Sequence, residues 1–171
     1  MQQNIVTDRL VLRPFVLSDA ERVAILAGEK LISDMTANIP YPYSLTDAES
    51  WIETHEQIFA GGKGIVYAIT LKDNGELIGA VSLPKIENGA GTLGYWLGVP
   101  YWGNGYATEA SRALILFSKQ NLGVTTLRVM HLVGNERSKS VIRKLGVTYM
   151  ENRTSRMQGK EREVCVYTSE L

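Results

Sequence analysis

Gly94-Tyr-Trp-Leu-Gly-Val-Pro-Tyr-Trp-Gly-Asn-Gly-Tyr-Ala-Thr-Glu-Ala110 decides how this chain is read. Its first part is a strand: Thr92 just upstream, then Tyr95, Trp96, Leu97 and Val99, are β-branched, aromatic or aliphatic. Pro100 ends the strand, because it has no N–H to give to a ladder. Gly103 and Gly105 permit a tight turn that gathers bare backbone N–H groups. From Tyr106 the pattern turns helical and stays so to about Gln120. A strand, a glycine turn and a helix N-terminus in succession make an anion site, since free N–H groups and the positive dipole end converge there. A phosphate-bearing ligand is therefore expected at residues 103–108.

The totals set the frame around this stretch. A chain of 171 residues supports one domain, taken as 1–171, and 44% hydrophobic residues suffice for a substantial core. Lysines and arginines balance acids at 18 each, which argues against a nucleic-acid or membrane-surface binder. Cys165 is the single cysteine, so no intrachain disulfide forms, and with only His55 and His131 no metal site is expected. The first residues lack a basic start and an apolar run, and no segment is long and apolar enough for a bilayer. A soluble, cytoplasmic protein is the expectation.

Working outward, Arg9–Leu17 reads as a strand that lies at an edge or bends at Pro14. Ser18-Asp-Ala-Glu21 reads as a capping box for a helix ending near Gly28. Residues 29–45 are irregular, with Pro40-Tyr-Pro-Tyr43 as loop. Thr46-Asp-Ala-Glu49 reads as a second capping box, opening one helix through Trp51, His55 and Phe59 to Gly61. Residues 65–71 and 77–83 form a hairpin around Asp73-Asn-Gly75, and a loop with Pro84, Asn88 and Gly89 leads into the central strand. Thr126–Val133 is a strand, Glu136–Leu145 a helix, and 147–152 and 163–168 are strands around a Gln158-Gly159 turn. The order β-αα-βββ-α-β-α-ββ gives an α+β, or mixed α/β, domain.

The glycine turn fits two familiar phosphate motifs poorly. A P-loop requires Lys and then Ser/Thr after the second glycine, where Tyr106 and Ala107 stand. A dinucleotide fingerprint requires glycine or alanine at the position of Thr108 and an acid about 20 residues on, where Thr125 to Arg128 stand. Instead, Trp102-Gly-Asn-Gly-Tyr-Ala-Thr-Glu-Ala110 resembles the pyrophosphate-binding motif of the GNAT acetyltransferases, most closely the Rim-type branch that acetylates ribosomal-protein N-termini. Asn135-Glu-Arg-Ser138 with Lys144-Leu-Gly146 resembles the second signature of that branch. Thr7-Asp-Arg-Leu-Val-Leu-Arg-Pro14 and Tyr41-Pro-Tyr43 before a helix are similar to the corresponding parts of such chains, so the resemblance covers nearly the whole sequence.

The resemblance implies a central, mostly antiparallel sheet splayed into a V, with helices on both faces and acetyl-CoA in the gap. It implies that the pantetheine arm pairs with the backbone of Leu97, Gly98 and Val99. The pyrophosphate then lies on the Trp102, Gly103, Asn104, Gly105, Tyr106, Ala107 and Thr108 turn, and Asn135 touches the arm. Many members place a tyrosine, as proton donor to the thiolate, where this chain has Ile142; in the Rim-type branch a serine serves, here Ser138. A serine at a helix start is also an ordinary first-turn residue. The reaction implied is direct attack of an amine on the thioester, with a proton acceptor required. Glu109, in the first turn of a helix, suits structure better than proton abstraction. His131 belongs to the core or the cleft, and His55 is expected to be packed.

Acceptor selection is expected from residues 30–45, with Asp34, Tyr41 and Tyr43 as walls, and from the final hairpin. The acceptor is an amine: the N-terminal α-amine of a ribosomal or other protein, or alternatively a polyamine, amino acid or amine-bearing antibiotic. The replacement at Ile142 leaves a non-catalytic acyl-CoA sensor as a further alternative. Neither metal nor nucleic acid is expected, and the chain is a monomer or a homodimer.

Overall fold

Apolar residues on both sides of the central strands build one sheet that is covered on both faces there. The computed structural model describes residues 1–171 and contains eight strands. They are β1 (Ile5–Val6), β2 (Leu10–Arg13), β3 (Ile65–Leu71), β4 (Leu77–Glu87), β5 (Ala90–Leu97), β6 (Thr126–Leu132), β7 (Thr148–Met157) and β8 (Lys160–Glu170). The order across the sheet is β1-β2-β3-β4-β5-β6-β8-β7. Every neighbouring pair is antiparallel except β5 with β6. The helices are α1 (Ala20–Ala27), α2 (Lys30–Met35), α3 (Leu45–Glu53), α4 (His55–Ala60), α5 (Tyr106–Asn121) and α6 (Glu136–Lys144).

Period-two alternation decides which helix covers which face. Tyr67 and Ile69 of β3 pack with Leu10, Leu12 and Leu114 of α5. Val66 and Ala68, one residue out of phase, pack with Val23 and Leu26 of α1 and Ala48 of α3. The mixed α/β sheet with helices on both faces is thus set by the strand pattern itself. No helix is long and apolar enough to cross a membrane.

The splay lies between β5 and β6. These strands pair only from Ala90–Thr92 to Thr126–Arg128 and then part, although β5 runs on to Leu97 and β6 to Leu132. A bulge in β4 sits at the same level, where the register against β5 shifts between Ser82 and Lys85. A bulge bends the bulged strand and adds twist, and Pro84 falls inside it, where no ladder N–H is demanded. The β5 residues beyond Thr92 stay on β4 while β6 follows β8, and the sheet opens.

Several local expectations shift. Residues 29–45, read as irregular, contain α2. The second capping box is Ser44 with Asp47, not Thr46 with Glu49: Ser44 accepts the Asp47 N–H at 3.1 Å and Asp47 accepts the Ser44 N–H at 2.9 Å. No Ser18 box forms, because Asp19 instead takes the Val16 N–H and both guanidinium nitrogens of Arg13. The helix expected to run to Gly61 divides at Thr54, whose hydroxyl and N–H both donate to the Trp51 carbonyl. β4 passes Pro84 to Glu87, and Asn88-Gly89, with φ of 51° and 77°, is a two-residue hairpin turn rather than a loop. The central strand stops at Leu97: the Gly98 N–H makes a last cross-strand bond to the Ile78 carbonyl, Pro100 has no N–H to add, and Val99–Tyr101 form a 3-10 turn.

Candidate functional site

The turn before α5 presents donors with nothing to bind inside the protein. Gly103 and Gly105 both adopt left-handed backbone, φ 82° and 81°. A Cβ at Gly103 would meet open space, and one at Gly105 would meet only the Arg9 guanidinium at 3.5 Å. It is the backbone conformation, not crowding within the chain, that calls for glycine at both positions. None of the N–H groups of residues 103–108 is taken by a protein acceptor; the first bond of α5 runs from Glu109 N–H to the Gly105 carbonyl.

The turn is held rigidly from behind. Arg9 donates to the Asn104 carbonyl at 2.9 Å and to Glu109 at 2.7 Å, and its guanidinium lies over the Tyr106 ring. Glu109 also accepts from the Thr7 hydroxyl at 2.6 Å and from the Arg9 N–H. Burial pushes the Glu109 carboxyl up, but these hydrogen bonds and the Arg9 charge outweigh it and hold it low. Glu109 is therefore an ionised fastener. The Asn104 side chain points inward to the Tyr101 and Trp102 carbonyls.

A cavity of about 900 Å³ opens from this turn and passes through the split. On the α5–α6 side its walls include Trp102, Gly103, Gly105, Tyr106, Ala107 and Thr108. On the opposite face they include Ile32, Ile39, Tyr43 and Trp51. Leu97 and Asn135 are on the wall; Gly98, Val99 and Asn104 are not. The Leu97 carbonyl is engaged by the Trp102 indole N–H at 2.9 Å. Arg137, stacked 3.8 Å above the Trp102 ring, and Lys144 also line the cavity, and neither forms an ion pair. A shallower hollow of about 540 Å³ flanks the outer side of the turn, between Arg9, Gly105, Arg112 and Lys144. Unpaired cations and unclaimed N–H groups make this end of the passage an anion-binding surface.

Midway through the passage, two hydroxyls meet. Asn135 caps α6 by accepting the Ser138 N–H at 3.2 Å, so the serine side chain is not needed as a cap. Its Oγ lies 2.6 Å from the Tyr95 phenol, across from β5. Burial raises the Tyr95 pKa to about 12, against the lowering effect of the Ser138 bond. Both groups are therefore protonated at neutral pH. Tyr95 was legible in sequence only as a strand aromatic; the signal that finds it is alternation, since Leu93, Tyr95 and Leu97 share the face toward the main core and α5. Ile142 is wholly buried core.

The other candidates separate. His131 is on the wall, with Nδ1 2.8 Å from the Leu132 carbonyl and Nε2 3.0 Å from the Tyr167 hydroxyl. His55 is packed edge-on to Trp51 and against Phe15, with neither ring nitrogen partnered, and burial lowers its pKa to about 4. Tyr43 lines the passage, and burial, then the Asp47 charge, raise its pKa to about 12. Tyr41 is exposed and off the wall, and the Asp34 carboxylate pairs with Lys30 on the surface.

Comparison with known proteins agrees with this geometry. Residues 9–148 match the family model of the acetyltransferase (GNAT) domain. The chain is 25% identical over 142 residues to YoaA, an uncharacterized N-acetyltransferase of Bacillus subtilis (strain 168), covering 82% of this chain and 80% of that one. Among solved structures, RimL, a ribosomal L7/L12 α-N-protein acetyltransferase in complex with coenzyme A, superposes with a TM-score of 0.89 at 21% identity, covering 99% and 98% of the two chains. MccE, the Microcin C7 self-immunity acetyltransferase in complex with acetyl-CoA and AMP, superposes with a TM-score of 0.85 at 22% identity, covering 96% and 94%. The family model spans the anion-binding turn, both strands of the split and the Tyr95–Ser138 pair, and this chain belongs to the GNAT acetyltransferase family.

Proposed function

We propose that the chain transfers the acetyl group of acetyl-CoA to a primary amine by direct attack inside the passage between β5 and β6. The observation that carries this reading is the row of unclaimed N–H groups at 103–108, opening onto a cavity that leads to two half-buried hydroxyls. The donors and the cations Arg137 and Lys144 fit a pyrophosphate. The unpaired β5 edge from Leu93 to Leu97 fits the amide string of a pantetheine arm. Leu97 ends that edge with its carbonyl taken by the Trp102 indole, while Gly98 and Val99 stand just past the strand end. Bound acetyl-CoA supplies an activated acyl group whose departing thiolate takes up a proton.

Ser138 is the group we assign to give that proton, with Tyr95 as a positioning residue. If the phenol donates to Ser138 Oγ, the serine hydrogen is free to point into the passage. No carboxylate stands beside this pair: Asp47 is the one acidic residue on the cavity wall, in the first turn of α3 on the far face. Proton uptake from the amine then falls to water in the passage or to His131. The acceptor we assign is a polypeptide α-amine, by analogy with RimL, a ribosomal L7/L12 α-N-protein acetyltransferase. A panel of N-terminal peptides and small amines, read by thiol release, tests this. Turnover with at least one amine supports the transferase; tight acetyl-CoA binding with silence across the panel supports the sensor instead.

A further inference from the structure

The β7–β8 hairpin ends in a two-residue turn, Gln158-Gly159, with φ of 51° and 76°. The β4–β5 hairpin ends in the same way at Asn88-Gly89, φ 51° and 77°. Asn-Gly is the preferred pair for such a turn, because asparagine tolerates left-handed backbone. Glutamine at position 158 gains nothing from the turn; it has one more methylene and reaches further. Its Nε2 lies 2.9 Å from the Ile39 carbonyl, 3.2 Å from that of Thr36 and 3.4 Å from that of Ser33, and its Oε1 lies 3.4 Å from the Ser33 hydroxyl. Arg162 of β8 adds a longer contact to the Asp34 carbonyl.

These contacts join the two walls of the passage at its acceptor end. Met35, Thr36, Ala37 and Ile39 line it from the α2–α3 segment, and Ser155 and Met157 line it from β7. Gln158 is behind the lining and off the wall. Between the walls Met130, Leu132 and Val164 form an apolar floor, while Asn38 and Arg156 add polar groups to the walls. A groove between two separate walls would accept an amine carried on a broad surface; walls tied together at the rim leave a sleeve.

We propose that Gln158 is a latch that closes the acceptor end into a narrow sleeve with an apolar floor and restricts acceptors to amines at the tip of a slender, extended segment. An unfolded peptide N-terminus or a linear alkylamine fits such a sleeve; an amine on a fused or multi-ring body does not. The inference rests on the transferase reading above, and Gln158 acts as a positioning residue through the walls it holds.

Gln158→Asn tests it cleanly, because the turn keeps a residue at least as well suited to its backbone while the amide falls short. Losing about two net hydrogen bonds speeds amide exchange of residues 33–39 by roughly tenfold. The kcat/KM ratio of a linear amine to a multi-ring amine falls by a similar factor, about tenfold, while the Kd for acetyl-CoA stays within about twofold. Gln158→Glu keeps the length but sets a carboxylate against three carbonyls; its exchange is expected to exceed that of wild type at neutral pH and to approach the wild-type rate at the same pH as acid protonates it. Unchanged exchange at residues 33–39 in Gln158→Asn overturns the latch, whatever the activity shows. An unchanged selectivity ratio overturns the sleeve, and a ratio that falls only together with acetyl-CoA affinity marks general loosening and also overturns it. Failure of the wild-type chain to bind acetyl-CoA counts against the transferase reading, and the exchange comparison still decides the latch.

Discussion

Removing the Tyr95 hydroxyl isolates the step at which the passage becomes a catalyst. In Tyr95→Phe the ring keeps its packing and the 2.6 Å contact with Ser138 Oγ is lost. A neutral hydrogen bond contributes about 0.5–1.5 kcal/mol net, so kcat falls roughly 2- to 13-fold if the bond orients the donor in the transition state. Ser138→Ala removes the donor itself and lowers kcat by about 100-fold, the low end of general-acid effects, because a thiolate already leaves well. Once Ser138 is gone, the phenol has nothing to orient, so Tyr95→Phe in the Ser138→Ala background costs less than about twofold more. Steady-state thiol release at saturating acetyl-CoA reads all four corners of this cycle. Equal factors for Tyr95→Phe with and without Ser138 would refute the coupling. The pH profile gives an independent check. With its pKa raised to about 12 by burial, the phenol adds no break to kcat below about pH 10; a limb near the ordinary tyrosine value that vanishes in Tyr95→Phe would contradict the assignment.

Further outcomes follow from the same structure. Arg137→Ala removes an unpaired cation and its stacking on Trp102; acetyl-CoA affinity is expected to fall about tenfold with kcat little changed, and titration at two salt concentrations should show a shallower salt slope than wild type. His55 titrates near 6.5 unfolded but at about 4 folded, because burial penalises its charged form. The unfolded state then binds the extra proton between these values, so stability is full above about pH 6.5 and declines as pH falls toward about 4. The shift corresponds to a loss of about 2 kcal/mol between pH 7.5 and pH 5, and urea melts of His55→Leu should lack that part of the decline. Parallel pH dependence in variant and wild type would show that His55 is not the group responsible.

Much of this molecule is legible because physics writes it locally. Gly103 and Gly105 announce positive φ, and the helix pattern that follows announces free N–H groups, so the anion site is readable before any fold is known. The strand alternation of Tyr67 and Ile69 against Val66 and Ala68 announces a sheet covered on both faces. What escapes is set by partners distant in sequence. Asp19 abandons the Ser18 box because Arg13 stands opposite it, a contact that no local pattern encodes. Tyr95 meets Ser138, 43 residues away, and Gln158 meets Ile39, 119 residues away. Tyr41 and Asp34 lie in the segment expected to face the acceptor, but helix α2 and its Lys30–Asp34 pair turn the Asp34 carboxylate to the surface.

The most direct measurement is calorimetric titration of the wild-type chain and of Gly105→Val with acetyl-CoA. Position 105 has φ 81°, a conformation that a β-branched residue adopts only under strain. The wild-type chain should bind with one site per chain. Gly105→Val, checked for a retained cooperative melt, should bind at least about tenfold more weakly, since its turn can no longer aim the N–H groups of 103–108 at a pyrophosphate. Absence of heat with the wild-type chain, or equal affinity in a folded Gly105→Val, would contradict the account at its base.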